Sequence, residues 1–222
     1  MASEHETIVI LDFGSQYAQL IARRIRELRV HSVILPASAS LQTIREHFPK
    51  GIILSGGPAS VTSVKQPKWA KGILQEGIPI LGICYGMQLV AHYMGGRVAA
   101  TKQREFGRAK LQIIDRADLF AGLGQSGSII VWMSHGDRIE KLPPGFKPIA
   151  QTENSPVAAM KFVKHGCQFF CLQFHPEVAH TIHGKKILKN FVQGICKVRP
   201  TWTMGSFLKN SIEEIREKVG HD

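Results

Sequence analysis

Long apolar runs, cysteine and phosphate-loop signatures are all scarce in this chain. No stretch approaches the roughly 20 apolar residues of a membrane-spanning helix, so no membrane partner is expected. The start, Met1-Ala2-Ser3-Glu4-His5-Glu6, is acidic and lacks the basic region of a secretory signal, which makes the cytoplasm the expected compartment. Only four cysteines occur, Cys84, Cys167, Cys171 and Cys196, too few and too scattered for a disulfide scaffold. None stands in a Cys-x-x-Cys pair, which argues against structural zinc. No Walker-type loop is visible, and Gly122-Leu123-Gly124-Gln125-Ser126-Gly127 matches a dinucleotide fingerprint by letters only, because it precedes a strand instead of opening a helix.

Positive charge, by contrast, is abundant. The net charge is +11, yet the basic residues are spread along the chain with modest groupings at Arg23-Arg24-Ile25-Arg26 and Lys185-Lys186. No basic stripe alternates with aromatics, so a solvated basic surface explains the balance better than a specific nucleic-acid partner. With 222 residues, 44% of them hydrophobic, the chain suits one large globular domain with a short appendage.

The chemistry-bearing stretch runs from Ile78 to Met94. An apolar β-type run turns at Gly82-Ile83-Cys84-Tyr85-Gly86 and leaves as a helix, with Met87, Val90, Ala91 and Met94 at helical spacing. Glycines on both sides of a nucleophile let strand and helix backbones approach closely, and a thiol at a helix N-terminus feels the positive end of the macrodipole. A small buried cysteine filling the strand-helix junction is the alternative for Cys84.

Before this elbow, strand and helix alternate. Thr7 to Leu11 reads as a buried strand, a helix extends to about Leu28, Ser32 to Leu35 forms a second strand, and Leu41 to His47 a short helix. Gly51 to Ser55 is a third strand, and Trp69 to Gln75 another helix. Alternation of this kind predicts a parallel sheet covered on both faces, with ligands beyond the carboxyl ends of its strands. The loops at Asp12, Ser55 and Cys84 can then share one crevice.

The second half is richer in β-structure and partly antiparallel. Its candidate strands are Ala109 to Ile114, Ser128 to Met133, Lys147 to Gln151, Val157 to Phe162 and Phe169 to Gln173. A helix from about Gly184 to Ile195 closes the domain, and a linker-like stretch from Lys197 leads to a helix capped by Ser211 and running to Val219.

A cysteine nucleophile needs a base and a group to orient that base. His175-Pro176-Glu177, just past a strand end, supplies an imidazole and a carboxylate. The same His175 and Glu177, with His180 and His183, are also candidate metal ligands, although the second ligand cluster of a metal site is missing. Ser55-Gly56-Gly57-Pro58 is either a plain turn or an oxyanion hole, in which the backbone N–H groups of Gly57 and Tyr85 face a developing negative charge.

These three motifs, in this order, resemble the class I (triad) glutamine amidotransferases over about residues 7–196. Within the family, Ile10-Leu11-Asp12-Phe13-Gly14-Ser15-Gln16-Tyr17, Tyr85-Gly86-Met87-Gln88, Trp132-Met133-Ser134-His135-Gly136-Asp137 and Trp202-Thr203-Met204 are similar to the GMP-forming branch, where anthranilate and carbamoyl-phosphate enzymes carry Leu-Gly-His-Gln at the elbow.

The resemblance implies a flavodoxin-like three-layer α/β/α fold with a central, mostly parallel and partly mixed sheet. It implies a catalytic triad of Cys84, His175 and Glu177, an oxyanion hole at Gly57 and Tyr85, and glutamine held by Gln88, Ser134 and His135. A polar turn is the alternative for Ser134 to Asp137. Residues 1–197 are expected to form the amidotransferase domain and residues 198–222 a linker and first helix leading to an ATP pyrophosphatase domain, in the same chain or a separate subunit, that aminates XMP.

No metal or cofactor is expected in this chain, because ATP and Mg²⁺ would belong to that second domain, through which a homodimer is also conceivable. A cysteine hydrolase of other γ-glutamyl amides and a non-catalytic interaction module are the competing functions.

Overall fold

Ile8, Val9, Ile10 and Leu11 form an unbroken apolar run, and all four are fully buried in the first strand, β1 (Thr7–Asp12). Such a run belongs in the middle of a sheet covered on both faces. A computed structural model, describing residues 5–63, 66–123, 127–164 and 166–205 and the isolated positions 208, 212, 216 and 219, shows this arrangement. The chain continues through α1 (Ala18–Glu27), β2 (His31–Pro36), α2 (Leu41–Glu46), β3 (Pro49–Leu54), β4 (Ile80–Ile83) and α3 (Tyr85–Tyr93). It then forms β5 (Arg97–Ile113), β6 (Ser128–Lys141), β7 (Lys147–Gln151), β8 (Ala159–Lys164), β9 (Cys167–Leu172) and α4 (Gly184–Lys189).

One nine-stranded sheet has the order β2-β1-β3-β4-β9-β8-β7-β5-β6. Strands β2, β1, β3, β4 and β9 pair in parallel, and the pairs from β9 through β8, β7 and β5 to β6 are antiparallel. The two-residue period of a strand divides the core. Ile8 and Ile10 pack with Ile21 and Ile25 of α1 and Ile187 and Leu188 of α4, whereas Val9 and Leu11 pack with Ile44 of α2 and Leu89 and Val90 of α3. The result is the three-layer, flavodoxin-like arrangement expected above.

Several local expectations are corrected. Trp69 to Gln75 is not an α-helix but ends in a 3₁₀ segment over Lys71–Gln75. The stretch ends at the left-handed Gly77 (φ 70°), and the Trp69 ring packs edge-on against Phe13 and Tyr93. Strands β5 and β6 run far beyond the two short strands expected, and Ser134 to Asp137 lie within β6, not in a turn. Cross-strand pairing with β5 overrides the turn propensity of Gly136-Asp137. Val198 joins the core, and the Trp202 N–H donates to the Arg29 carbonyl at 2.9 Å. The helix expected from Ser211 lies largely outside the described residues, as does the centre of the glycine-rich stretch after Gly122.

Gly86 offers a test of the crossing between strand and helix. A Cβ there would collide with the Leu54 carbonyl, so Gly86→Ala is expected to lose at least ~2 kcal/mol in urea unfolding, reversing the usual helical gain of ~1 kcal/mol for Gly→Ala. Gly194→Ala, with nothing within 4 Å of its Cβ, is expected to be neutral or slightly stabilising.

Candidate active site

Cys84 stands between β4 and α3 with φ 52° and ψ −104°, a conformation that costs a non-glycine residue about 1–3 kcal/mol. Neighbouring strands hold it there. The Cys84 N–H donates to the Leu172 carbonyl at 2.7 Å, and the Gly86 N–H donates to the Ser55 carbonyl at 3.1 Å. A Cβ on Gly82 would stand 2.7 Å from the Gly86 carbonyl oxygen, so both glycines of the elbow are needed for the backbones to cross.

His175 follows β9 and lies against the sulfur. The ring Nδ1 is 2.7 Å from Glu177 Oε1, which leaves Nε2 for the hydrogen bond to Cys84. Burial works against a charged ring, but the bonds to Cys84 and Glu177 outweigh it and push His175 up to about 10. Glu177 is buried, and its Oε2 has no hydrogen-bond partner among the described residues. Arg24 of α1 fixes the Glu177 backbone, its Nε–H donating to that carbonyl at 3.0 Å. The sulfur also meets the Ser134 carbonyl at 3.6 Å and the Gln173 side-chain N–H at 3.7 Å.

The backbone of His175 is anchored to β6. Its N–H donates to the Trp132 carbonyl at 3.0 Å, while the Thr181 hydroxyl donates to the His175 carbonyl at 2.6 Å and accepts from the Trp132 N–H at 3.1 Å. The Tyr17 ring meets the imidazole edge-on, 5.1 Å between centroids.

A cleft of about 590 Å³ opens at this point and is lined by Gly57, Tyr85, Gln88, Ser134 and His135 together with Cys84 and His175. Every candidate site residue therefore meets in one crevice except Glu177, which stands behind His175. Gly57 belongs there for a backbone reason, since a Cβ would sit 2.6 Å from the Phe13 carbonyl oxygen. Burial pushes the Tyr85 phenol up to about 12. Gln88 donates to the Asp137 carbonyl at 3.1 Å.

Behind His135 lies a network that sequence reasoning missed. Its Nε2 is 3.2 Å from Glu105 Oε2, and Glu105 also accepts from Thr152 at 2.8 Å and Ser155 at 2.6 Å. Burial alone would raise the Glu105 carboxyl, but these three bonds hold it below the ordinary carboxylate value. The signal available in the sequence was the alternation of Ile129, Val131, Met133 and His135, which turns His135 inward on β6. Gln173, Thr181 and Arg24 carried no pattern of their own.

The metal alternative gains no geometry. The His180 ring packs at a tilt against Trp132, 4.4 Å between centroids, His183 lines a separate cavity beside α4, and among the described residues no three His, Cys, Asp or Glu side chains gather to hold an ion.

Residues 9–195 match the family model for class-I glutamine amidotransferases. The chain is 50% identical over 217 residues to the GMP synthase [glutamine-hydrolyzing] of Thermomicrobium roseum, covering 98% of this chain and 40% of that protein. The GMP synthase [glutamine-hydrolyzing] of Campylobacter jejuni is 51% identical over 215 residues, with 97% and 41% covered. The chain thus spans about 40% of the length of the curated relatives it matches. A Thermoplasma acidophilum protein provisionally assigned as one subunit of a GMP synthase superposes with a TM-score of 0.74 at 30% identity, covering 96% of this chain and 98% of its own. A glutamine amidotransferase of Thermotoga maritima shares the fold, with a TM-score of 0.61 at 20% identity over 97% and 93% of the two chains.

Two outcomes test the anchoring of His175. A raised pKa contributes stability that is complete below the unfolded value, here 6.5, and is lost as pH rises through about 10. The stability difference between wild type and His175→Asn is therefore expected to be largest below pH 6.5 and to shrink towards pH 10, measured by thermal unfolding across that range. Thr181→Val, which strands the buried Trp132 N–H and His175 carbonyl, is expected to cost about 1–3 kcal/mol in chemical denaturation.

Proposed function

The chain belongs to the class I glutamine amidotransferases, and from that premise we propose that it hydrolyses L-glutamine to glutamate and ammonia as the glutaminase part of a GMP synthase. The observation that carries this proposal is the strained Cys84 hydrogen-bonded to a buried His175–Glu177 pair at the floor of a cleft.

His175, hydrogen-bonded to the sulfur, takes the thiol proton. The sulfur attacks the side-chain carbonyl carbon of glutamine, and the N–H groups of Gly57 and Tyr85 face the oxygen as it becomes negative. His175 returns the proton to the departing nitrogen, the C–N bond breaks, and ammonia leaves a thioester on Cys84. Water then attacks the thioester, giving its proton to His175 and on to the sulfur, and releases glutamate. Glu177 orients the imidazole through Nδ1 throughout. Gln88, Ser134 and His135 line the cleft beside the reacting centre and hold the substrate.

The ammonia goes to an ATP pyrophosphatase part, in the same chain or a separate subunit, which uses ATP and Mg²⁺ to activate XMP for amination to GMP. Residues 198–222 lead towards that part. The synthetase is the chain's macromolecular partner, and a free thiol nucleophile suits the reducing cytoplasm.

Incubation with the glutamine analogue 6-diazo-5-oxo-L-norleucine, alone and with the synthetase part added, is expected to place one adduct on Cys84, read by intact mass and peptide mapping. Cys84→Ala is expected to take no adduct and to lower glutamate release at least ~10³-fold. Glutamate release that survives this substitution would overturn the proposal, and a panel of other γ-glutamyl amides separates glutamine from its relatives.

A further inference from the structure

The register of β5 against β6 breaks beside the cleft. Ala100 pairs with Asp137 and Glu105 with His135, so residues 101–104 stand opposite Gly136 alone. A bulge of this kind re-aims a side chain next to a site. Here the re-aimed residue is Arg104, which lines the cleft while Glu105 turns inward to His135. The Arg104 side chain lies over Gly136, its Nε and Cδ 3.7 and 3.8 Å from where a Cβ would stand.

Arg104 is the one arginine or lysine among the described residues lining the cleft, and among those residues no carboxylate pairs with it. Asp137, the carboxylate in the same lining, accepts from Ser60 at 2.5 Å. The distances along β6 set what Arg104 can reach. The Ser134 carbonyl is 3.6 Å from the sulfur, and Gly136 is two strand residues further, about 7 Å on. Glutamine separates its side-chain amide carbon from its α-carboxylate by four bonds of ~1.5 Å each, a comparable span.

The geometry points to Arg104 as the residue that receives the α-carboxylate of the substrate, selecting free glutamine over side-chain amides that lack that group. The planar guanidinium matches a carboxylate in a bidentate bond, and the bulge directs it to the far end of the cleft from Cys84. This assignment rests on the glutaminase proposal.

The test compares labelling rates of Cys84 in wild type, Arg104→Ala and Arg104→Lys, with the synthetase part present. The probes are 6-diazo-5-oxo-L-norleucine, its decarboxylated counterpart 5-amino-1-diazopentan-2-one, and iodoacetamide. Arg104→Ala is expected to slow the first probe ~10- to 100-fold, leave the other two within about two-fold, and be partly rescued by lysine. An unchanged rate with the first probe, or equal slowing of both diazo compounds, would overturn the Arg104 assignment while sparing the glutaminase proposal. Failure of the first probe to label wild type, with normal iodoacetamide alkylation, would overturn both.

Discussion

Everything at the site depends on how closely the β4 and α3 backbones cross at Cys84. The crossing is tight enough that a methyl group on Gly82 or Gly86 has no space, and it leaves Cys84 in a conformation that its own side chain disfavours. Neither strand nor helix would hold that geometry alone. The parallel strands on either side do so, β9 through the Leu172 carbonyl and β3 through the Ser55 carbonyl next to it. The strain is thus supported by the most buried part of the sheet, where small adjustments are least available.

The same sheet solves a second problem, that of bringing His175 from far along the chain to Cys84. Strand β9 lies directly against β4, so the residues following Leu172 emerge beside Cys84. His175 is then fixed from two sides: its ring by Glu177 and the sulfur, its backbone by Trp132 and Thr181. Glu177 Oε2 has no partner among the described residues, and Oε1 bonds the imidazole, whose proton affinity is raised by its bonds to Cys84 and Glu177.

What the sequence made legible was what is local. Gly82, Cys84 and Gly86 sit within five residues, and His175 and Glu177 within three, so spacing and turn chemistry alone point to an elbow and a base. The parallel half of the fold followed from alternating strand and helix patterns for the same reason. Glu105, Thr152 and Ser155 were hidden because they come from β5 and from the loop between β7 and β8, and only antiparallel pairing brings them together behind His135. The turn offered as the alternative for Ser134 to Asp137 failed for the opposite reason, since a local turn signal was overridden by a partner strand distant in sequence. Trp69 looked helical by hydrophobicity, but its ring is claimed by Phe13 and Tyr93.

The docking of residues 199–202 carries a geometric consequence. The Arg199 N–H donates to Glu6, just before β1, and the Trp202 N–H donates to Arg29, just before β2. Both contacts lie at the amino ends of the parallel strands, whereas Cys84 lies at their carboxyl ends. A six-residue strand is about 20 Å long, so these contacts lie a full sheet's length away from Cys84. A group docked beside Glu6 and Arg29 is therefore out of reach of the cleft, and whatever touches both ends of the sheet has to span the full height of the domain.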